Sequence, residues 1–275
     1  MTDSSALTTM HPTPIAELNA VLDALITGVR PILGDNFVGA YLQGSFAVGD
    51  ALSHSDVDFV VVVRADVPDA MVPALQAVHV QVYDLPSDWA KHLEGSYFPH
   101  DLLCRPETAG QPLLYIDNGS RVFERHPHDN TLVVRWILRE RGVTLAGPPA
   151  SSLLEPVVPD ELRREARTMM LAWGQEMLDK PESINNDWAQ PYRVLSFCRM
   201  LETLTTGQIH SKPAGAAWAR RTLHPRWIGL IDRAVIAHTH QRVLGRQPAD
   251  PADLAATLEF VREALAAAAK TAGVD

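Results

Sequence analysis

The stretch LQGSFAVGDALSHSDVDFVVVV, residues 42–63, governs the reading of the whole chain. Its last part, VDFVVVV, is too continuously apolar to keep one face in water, which predicts a central β-strand covered on both sides. Alternation along a strand points residues i and i+2 to one face, so Asp56 and Asp58 present two carboxylates side by side at its start. Two such carboxylates repel each other, and a divalent cation is the simplest compensator. Mg²⁺ suits this place because it takes hard oxygen ligands and keeps company with phosphates. Ten residues separate the Gly44-Ser45 pair from the first aspartate. The glycine lets backbone approach closely, and the serine hydroxyl with nearby N–H groups can hold a terminal phosphate where a helical turn begins. Taken singly, Gly-Ser is an ordinary turn and Asp-Val-Asp an ordinary strand start. Together, at this separation and before a buried strand, they predict a nucleotide–metal site.

Around that segment the chain has the composition of a folded protein. It has 275 residues, 46 % hydrophobic and 21 % charged, which fits one large or two modest domains at about 100 to 200 residues each. The formal charge of -9 carries no long basic run, which disfavours a nucleic acid partner and makes a cationic small molecule easier to attract. Cys104 and Cys198 form no CxxC-like pair, so neither a disulfide scaffold nor a structural zinc is expected. The first residues lack a basic-then-apolar signal pattern and no apolar run is long enough to span a bilayer, so the expected place is the cytoplasm and not a membrane.

Helical spacing of Ile15, Leu18, Leu22, Leu25, Ile26 and Val29 predicts a helix between Pro14 and Pro31, followed by a short strand at 37–43. A helix is expected from about Pro68 to Val78. HVQVYD after it reads either as more helix or as a short strand. LEGSYFP (93–99) and PLLYI (112–116) read as strands, and TLVVRWILRER (131–141) as a helix ended by Gly142. The proline-rich LAGPPASSLLEPVVPD (145–160) is the expected boundary between domains 1–150 and 157–275. Beyond it, five segments have helical spacing with Gly or Pro between them: ELRREARTMMLAWGQEML, YRVLSFCRMLETLTTG, KPAGAAWARRTL, HPRWIGLIDRAVIAHTHQRVLG and PADLAATLEFVREALAAAAKTAG. The predicted architecture is an α/β (α+β) domain with a small mixed sheet, followed by an all-helical bundle.

The 42–63 stretch resembles the signature of the polymerase-beta-type nucleotidyltransferase superfamily, Gly-Ser followed by Asp-x-Asp. CRMLETLTTGQIHSKPAGAAWARRTL resembles the segment after the catalytic domain in aminoglycoside adenylyltransferases of the streptomycin and spectinomycin type. The resemblance runs from about residue 37 to 235. It implies an antibiotic-modifying enzyme that transfers AMP from ATP to a hydroxyl of an aminoglycoside or related molecule and releases pyrophosphate, with Mg²⁺ neutralising the phosphates. Asp56 and Asp58 then take the metal-ligand places, and Gly44 and Ser45 the triphosphate contact. A third carboxylate is needed as metal ligand or general base; the match is Glu94, with Asp84 as its rival. Arg199 and Lys212 correspond to the family's phosphate cations. The C-terminal domain is expected to close over ATP, with no second subunit required.

For the acceptor, the family places Trp and Asp before the arginine-bearing helix; here SINNDWAQPYRVL supplies Asp187 and Trp188, with Gln190 and Tyr192 nearby. Trp188 either stacks beside a cationic acceptor or anchors buried surface. Asp129 lies near the family's polar contact at the domain junction. His126 and His128, just before it, read as structural or exposed histidines rather than zinc ligands. Two other readings keep the fold: transfer to a protein or RNA acceptor, or a nucleotide-binding sensor without catalysis.

Overall fold

The computed structural model describes residues 11–240 and 247–270. The chain divides into two compact units: one holds the chain up to Ala47 with Asp56–Glu155, the other Val48–Ser55 with the chain from Pro156 on. In chain order the first unit contains α1 (Ala16–Leu33), β1 (Phe37–Leu42), the short α2 (Gly44–Val48, whose last residue groups with the other unit), β2 (Val57–Val63) and α3 (Val72–Tyr83). It continues through β3 (Leu93–Pro99), α4 (His100–Leu103), β4 (Leu113–Ile116), β5 (Phe123–His126), α5 (Leu132–Arg141) and β6 (Val143–Ala146). The six strands form one mixed sheet in the order β5-β4-β3-β2-β1-β6. Only β2 and β3 run parallel among the paired neighbours; the other pairs are antiparallel.

β2 is central, as its apolar run requires, and strand alternation sorts its residues onto two covered faces. Val57, Phe59, Val61 and Val63 join Leu42, Leu93, Tyr97 and Leu114 against Leu18, Leu22, Leu25 and Val29 of α1 and Leu75, Val78 and Val82 of α3. Val60 and Val62 join Tyr41, Phe98 and Leu113 against Val134 and Leu138 of α5 on the opposite side. α5 begins at Thr131, whose hydroxyl accepts from the Val134 N–H. It is also pinned through Arg135, 1 % exposed, whose guanidinium donates to the carbonyls of Leu102, Leu103, Arg105 and Thr131 and lies over the Phe98 ring.

Several elements depart from the sequence expectation. α1 runs through Pro31 to Leu33, because the buried stripe Leu25, Val29 and Leu33 continues past the proline. The helix expected from Pro68 starts at Val72 after a separate turn at Asp69–Met71, with Pro68 still extended. It then continues to Tyr83, since His79 and Val82 extend the face begun by Leu75 and Val78; HVQVYD is helix, not strand. The edge strands β5 and β6 were not expected at all. The first has a single buried residue and the second none, so neither carries a buried periodicity.

The second unit contains α6 (Pro159–Asp179), α7 (Ala189–Thr206), α8 (Lys212–Thr222), α9 (Ile228–His240) and α10 (Pro251–Lys270). No strand occurs in it among the described residues. Residues 241–245 of the fourth expected helix and 271–273 of the fifth lie outside the described residues. α7 is the central helix, packed against the other four through Val194, Leu195, Phe197, Cys198 and Leu201. Gly215 lets α8 come close, because a Cβ there would stand 3.0 Å from the backbone of Arg199. Among the described residues no helix is long and apolar enough to cross a membrane.

Candidate active site

The parallel pairing of β2 with β3 sets Asp58 opposite Glu94 and Val57 opposite Leu93. Leu93 turns into the core against α1 and α3, so Glu94 shares the other face with Asp58. Asp56, two residues earlier, has the same parity, and Asn118 from the β4–β5 turn donates to its Oδ1. Glu94 is 8 % exposed. Burial first, then the carboxylates of Asp58, Asp56 and Asp129, pushes its carboxyl up to about 8, while a hydrogen bond from Tyr115 pulls the other way. The site therefore gathers three carboxylates, Asp56, Asp58 and Glu94, around one end of the β2–β3 pair, with Asp129 near enough to add to the charge. Asp84, the rival third carboxylate, is more than half exposed and pairs with Arg121, away from this cluster.

Behind these carboxylates lies a buried polar network. Asp129 is 1 % exposed; its Oδ1 accepts from Gln43 Nε2 at 3.0 Å and its Oδ2 from Ser96 Oγ at 2.6 Å. Burial raises its carboxyl to about 6, against the opposing pull of His128 and the Ser96 bond. Gln43 in turn accepts from the Gly44 N–H at 3.0 Å, which ties the start of α2 to Asp129. Asp129 thus supports the site from beneath, its surface closed to solvent.

Gly44 has φ +55°, and a Cβ at that position would overlap the Asp58 carboxylate. Both facts require glycine, and they bring the Gly-Ser turn directly against the metal-ligand candidate. Ser45 Oγ is buried and has no hydrogen-bond partner in the described protein. An orphaned hydroxyl beside crowded carboxylates fits a nucleotide phosphate with its cation. Among the described residues no group of three or more His, Cys, Asp or Glu is gathered as a metal cage. Mg²⁺ does not need one: it is held by one or two carboxylates and completes its shell with phosphate oxygens and water.

The helical unit carries its own candidates. Arg199 on α7 and Lys212 at the start of α8 bear on the same histidine, His238, whose ring is pushed down to about 4 by burial and then by Lys212, His54 and Arg199. His54 Nε2 donates to the His238 carbonyl at 3.0 Å. Lys212 Nζ lies 5.1 Å from the centre of the Tyr192 ring, and Trp188 stacks on that same ring at 5.1 Å and 15°. Trp188 is 40 % exposed, so it is no core anchor. Asp187 precedes it, its N–H bonded to the Gln247 carbonyl. Gln190 is buried instead, donating to Thr257 Oγ1.

Sequence reading missed Tyr115, His128, Asn118, Gln43 and Ser96 as parts of the carboxylate cluster. Tyr115 donates to Glu94 Oε1 at 2.6 Å, and His128 Nε2 stands 3.1 Å from the same oxygen. His128 had been read as structural or exposed; it is half exposed and still touches the central carboxylate. Tyr115 pairs with Ser96 and so shares the face of Glu94, a placement that the pairing of β3 with β4 sets.

Comparison with known proteins finds likenesses to this chain. Residues 26–97 match the nucleotidyltransferase domain, and residues 152–264 match the C-terminal domain of aminoglycoside adenylyltransferases. Spectinomycin 9-adenylyltransferases of Staphylococcus aureus, strains Mu50 and N315, are each 26 % identical over 217 residues, 75 % of this chain and 79 % of theirs. The crystal structure of spectinomycin adenyltransferase AAD(9) from Enterococcus faecialis with ATP and spectinomycin shares the fold. Its TM-score is 0.68 at 15 % identity, covering 90 % of this chain and 98 % of that one. The nucleotidyltransferase domain and the C-terminal domain of aminoglycoside adenylyltransferases are thus both matched, in that order, and the chain is an enzyme of the nucleotidyl-transferring type.

Proposed function

We propose that this protein transfers AMP from ATP to a hydroxyl of spectinomycin or a related aminocyclitol or aminoglycoside, with Mg²⁺, and releases pyrophosphate. The carrying observation is the pairing of Asp58 with Glu94 on one sheet face, against a Gly-Ser turn whose serine hydroxyl is buried and unpartnered. The acceptor class follows from the relatives, which are named as spectinomycin adenylyltransferases. Conferring resistance to such a drug is the corresponding role in the cell, with the enzyme working as a monomer in the cytoplasm.

In this reading Asp56 and Asp58 hold Mg²⁺, with Glu94 close enough in register to join them or to act as the base. Bound Mg²⁺ supplies charge neutralisation for the phosphates. Gly44 and Ser45 hold the triphosphate, and Arg199 and Lys212 from the helical unit serve the same charge. Glu94 takes the proton of the acceptor hydroxyl, its oxygen bonds to the α-phosphorus, and the α–β phosphoanhydride breaks to release pyrophosphate. Glu94 shares a face with the aspartate pair, which favours an enzyme over a sensor that has lost its base. Trp188 and Asp187 serve the cationic acceptor, Trp188 through its exposed ring face. Asp129 serves it indirectly, by holding Gln43 and so Gly44. Residues 1–150 form the catalytic domain in this scheme and 157–275 the helical one.

The test is mass spectrometry of the protein incubated with Mg²⁺, ATP and a panel of aminoglycosides and aminocyclitols, beside an Asp58→Ala control. A product heavier by one AMP with spectinomycin, absent in the control, is expected. AMP appearing on a protein or RNA component instead, or tight ATP binding with no transfer to any acceptor, would overturn the assignment.

A further inference from the structure

Among the described residues Glu94 is held by one oxygen only. Tyr115 Oη donates to Oε1 at 2.6 Å, and His128 Nε2 stands 3.1 Å from that same Oε1; neither contact falls on Oε2. The Tyr115 hydroxyl has one proton and two acceptors, Glu94 at 2.6 Å and Asp117 Oδ1 at 3.0 Å, and the shorter contact goes to Glu94. Tyr115 is 3 % exposed but belongs to neither apolar cluster of its unit. Its ring is instead stacked on His128 at 5.2 Å and 25°, and His126 lies 5.5 Å away on the same ring. β4 supplies the tyrosine and the turn after β5 the histidine, so two different segments converge on one carboxylate oxygen.

We infer that Tyr115 and His128 are positioning residues for the base: by clamping Oε1 of Glu94 they fix the carboxylate plane and turn Oε2 to the acceptor hydroxyl. A glutamate's terminal torsion is broad and two-fold, so a carboxylate held by nothing sweeps through orientations in which neither oxygen meets the proton. Two donors on one oxygen remove that freedom before substrate arrives. A reacting group set in a near-attack orientation gains rate through entropy already spent, and a misplacement of about 1 Å costs on the order of 10²-fold. Tyr115 and His128 touch no reacting atom in this scheme and act only through Glu94.

This inference rests on the reading of Glu94 as the base, and the experiment separates the two. Steady-state kinetics with Mg²⁺, ATP and spectinomycin would be measured for Tyr115→Phe, His128→Gln, Glu94→Gln and each clamp change combined with Glu94→Gln, with melting temperatures recorded alongside. Tyr115→Phe is expected to lower kcat by about 10- to 100-fold while the KM for ATP stays within about twofold. His128→Gln alters a half-exposed side chain and gives the same pattern, more weakly, without a change in melting temperature. Glu94→Gln is expected to lower kcat by about 10²- to 10⁴-fold, and in that background neither clamp change reduces it further. A Tyr115→Phe loss that repeats in full in the Glu94→Gln background, or no loss in either single clamp variant, would overturn the clamp. Full kcat in Glu94→Gln itself would instead remove the base and the clamp with it.

Discussion

Asp58 and Phe59 are adjacent in sequence and face opposite sides of the same strand, and the two sides follow opposite rules. Phe59 is fully buried among Leu18, Leu22, Leu25 and their neighbours on α1 and α3, where each apolar group removed from water favours the fold. Asp58 looks across to Glu94, with Gly44 pressed against it and Asp129 beneath. That side collects carboxylates out of water, an arrangement that opposes folding unless a cation or proton compensates. The face toward α1 and α3 thus carries the larger apolar core, whereas the face toward α5 is apolar at Val60 and Val62 and gives up stability at its start to hold charge ready for a phosphate-bearing ligand. Proteins commonly show this division, in which a site that works is a site that destabilises.

The largest effect that would test the division is on the apolar face. Phe59→Ala should lower unfolding free energy by about 3 to 5 kcal/mol, the usual range for emptying a large aromatic from a packed core. Chemical denaturation measures it, and a loss well under this range would mean that α1 and α3 do not depend on the strand as described. The next effect has the opposite sign and lies on the acidic face. The Glu94 carboxyl is raised in the folded protein to about 8 from an ordinary 4.5, so the folded state binds the extra proton. Its stabilising contribution is complete below the unfolded value and is lost as pH rises through the folded one, at about 1.4 kcal/mol per pH unit. In metal-free buffer Glu94→Gln should therefore match the parent in stability near pH 4.5 and exceed it progressively toward pH 8. A pH-independent difference between the two would show that burial and the neighbouring carboxylates do not raise Glu94 in the folded protein.

These contrasts also explain what could be read from sequence. VDFVVVV could be assigned to the centre of the sheet because its apolar residues, Val57 and Phe59 to Val63, fall on both faces and need cover on each, and strand parity alone put Asp56 and Asp58 on one face. Gly44 was legible as a point of close backbone approach, but the group it approaches, the Asp58 carboxylate, was not. The edge strands were not legible: Phe123 is the sole buried residue of FERH, and VTLA has none, so hydrogen bonding to a neighbour strand shapes them and no hydrophobic pattern records it. The acid cluster's supports were hidden in another way. Tyr115 meets Glu94 across 21 positions of sequence and Asp129 meets Gln43 across 86, distances that only the strand order converts into neighbours. His128 illustrates the limit well, because its exposure was read correctly while its contact with the central carboxylate was not.

The sharpest exception to the division is His79, an ionisable side chain on the apolar face. It is 3 % exposed, bonded to the Tyr97 hydroxyl at 3.0 Å, stacked on Phe59 at 5.8 Å and set edge-on to Phe123 at 4.9 Å. Burial pushes its ring down to about 3, so here the neutral form is the folded form. The unfolded chain takes up a proton near 6.5 and the folded one does not until about 3, which makes the stability it permits complete above 6.5 and lost as pH falls through that window. From pH 6.5 to 5 the parent should lose about 2 kcal/mol relative to His79→Phe, at about 1.4 kcal/mol per pH unit. The variant carries a constant penalty from the unpaired Tyr97 hydroxyl, so the change of the difference with pH is the quantity to read, not its size at one pH. A flat difference across that range would mean that His79 protonates inside the fold, and the apolar face would then hold charge as the acidic face does.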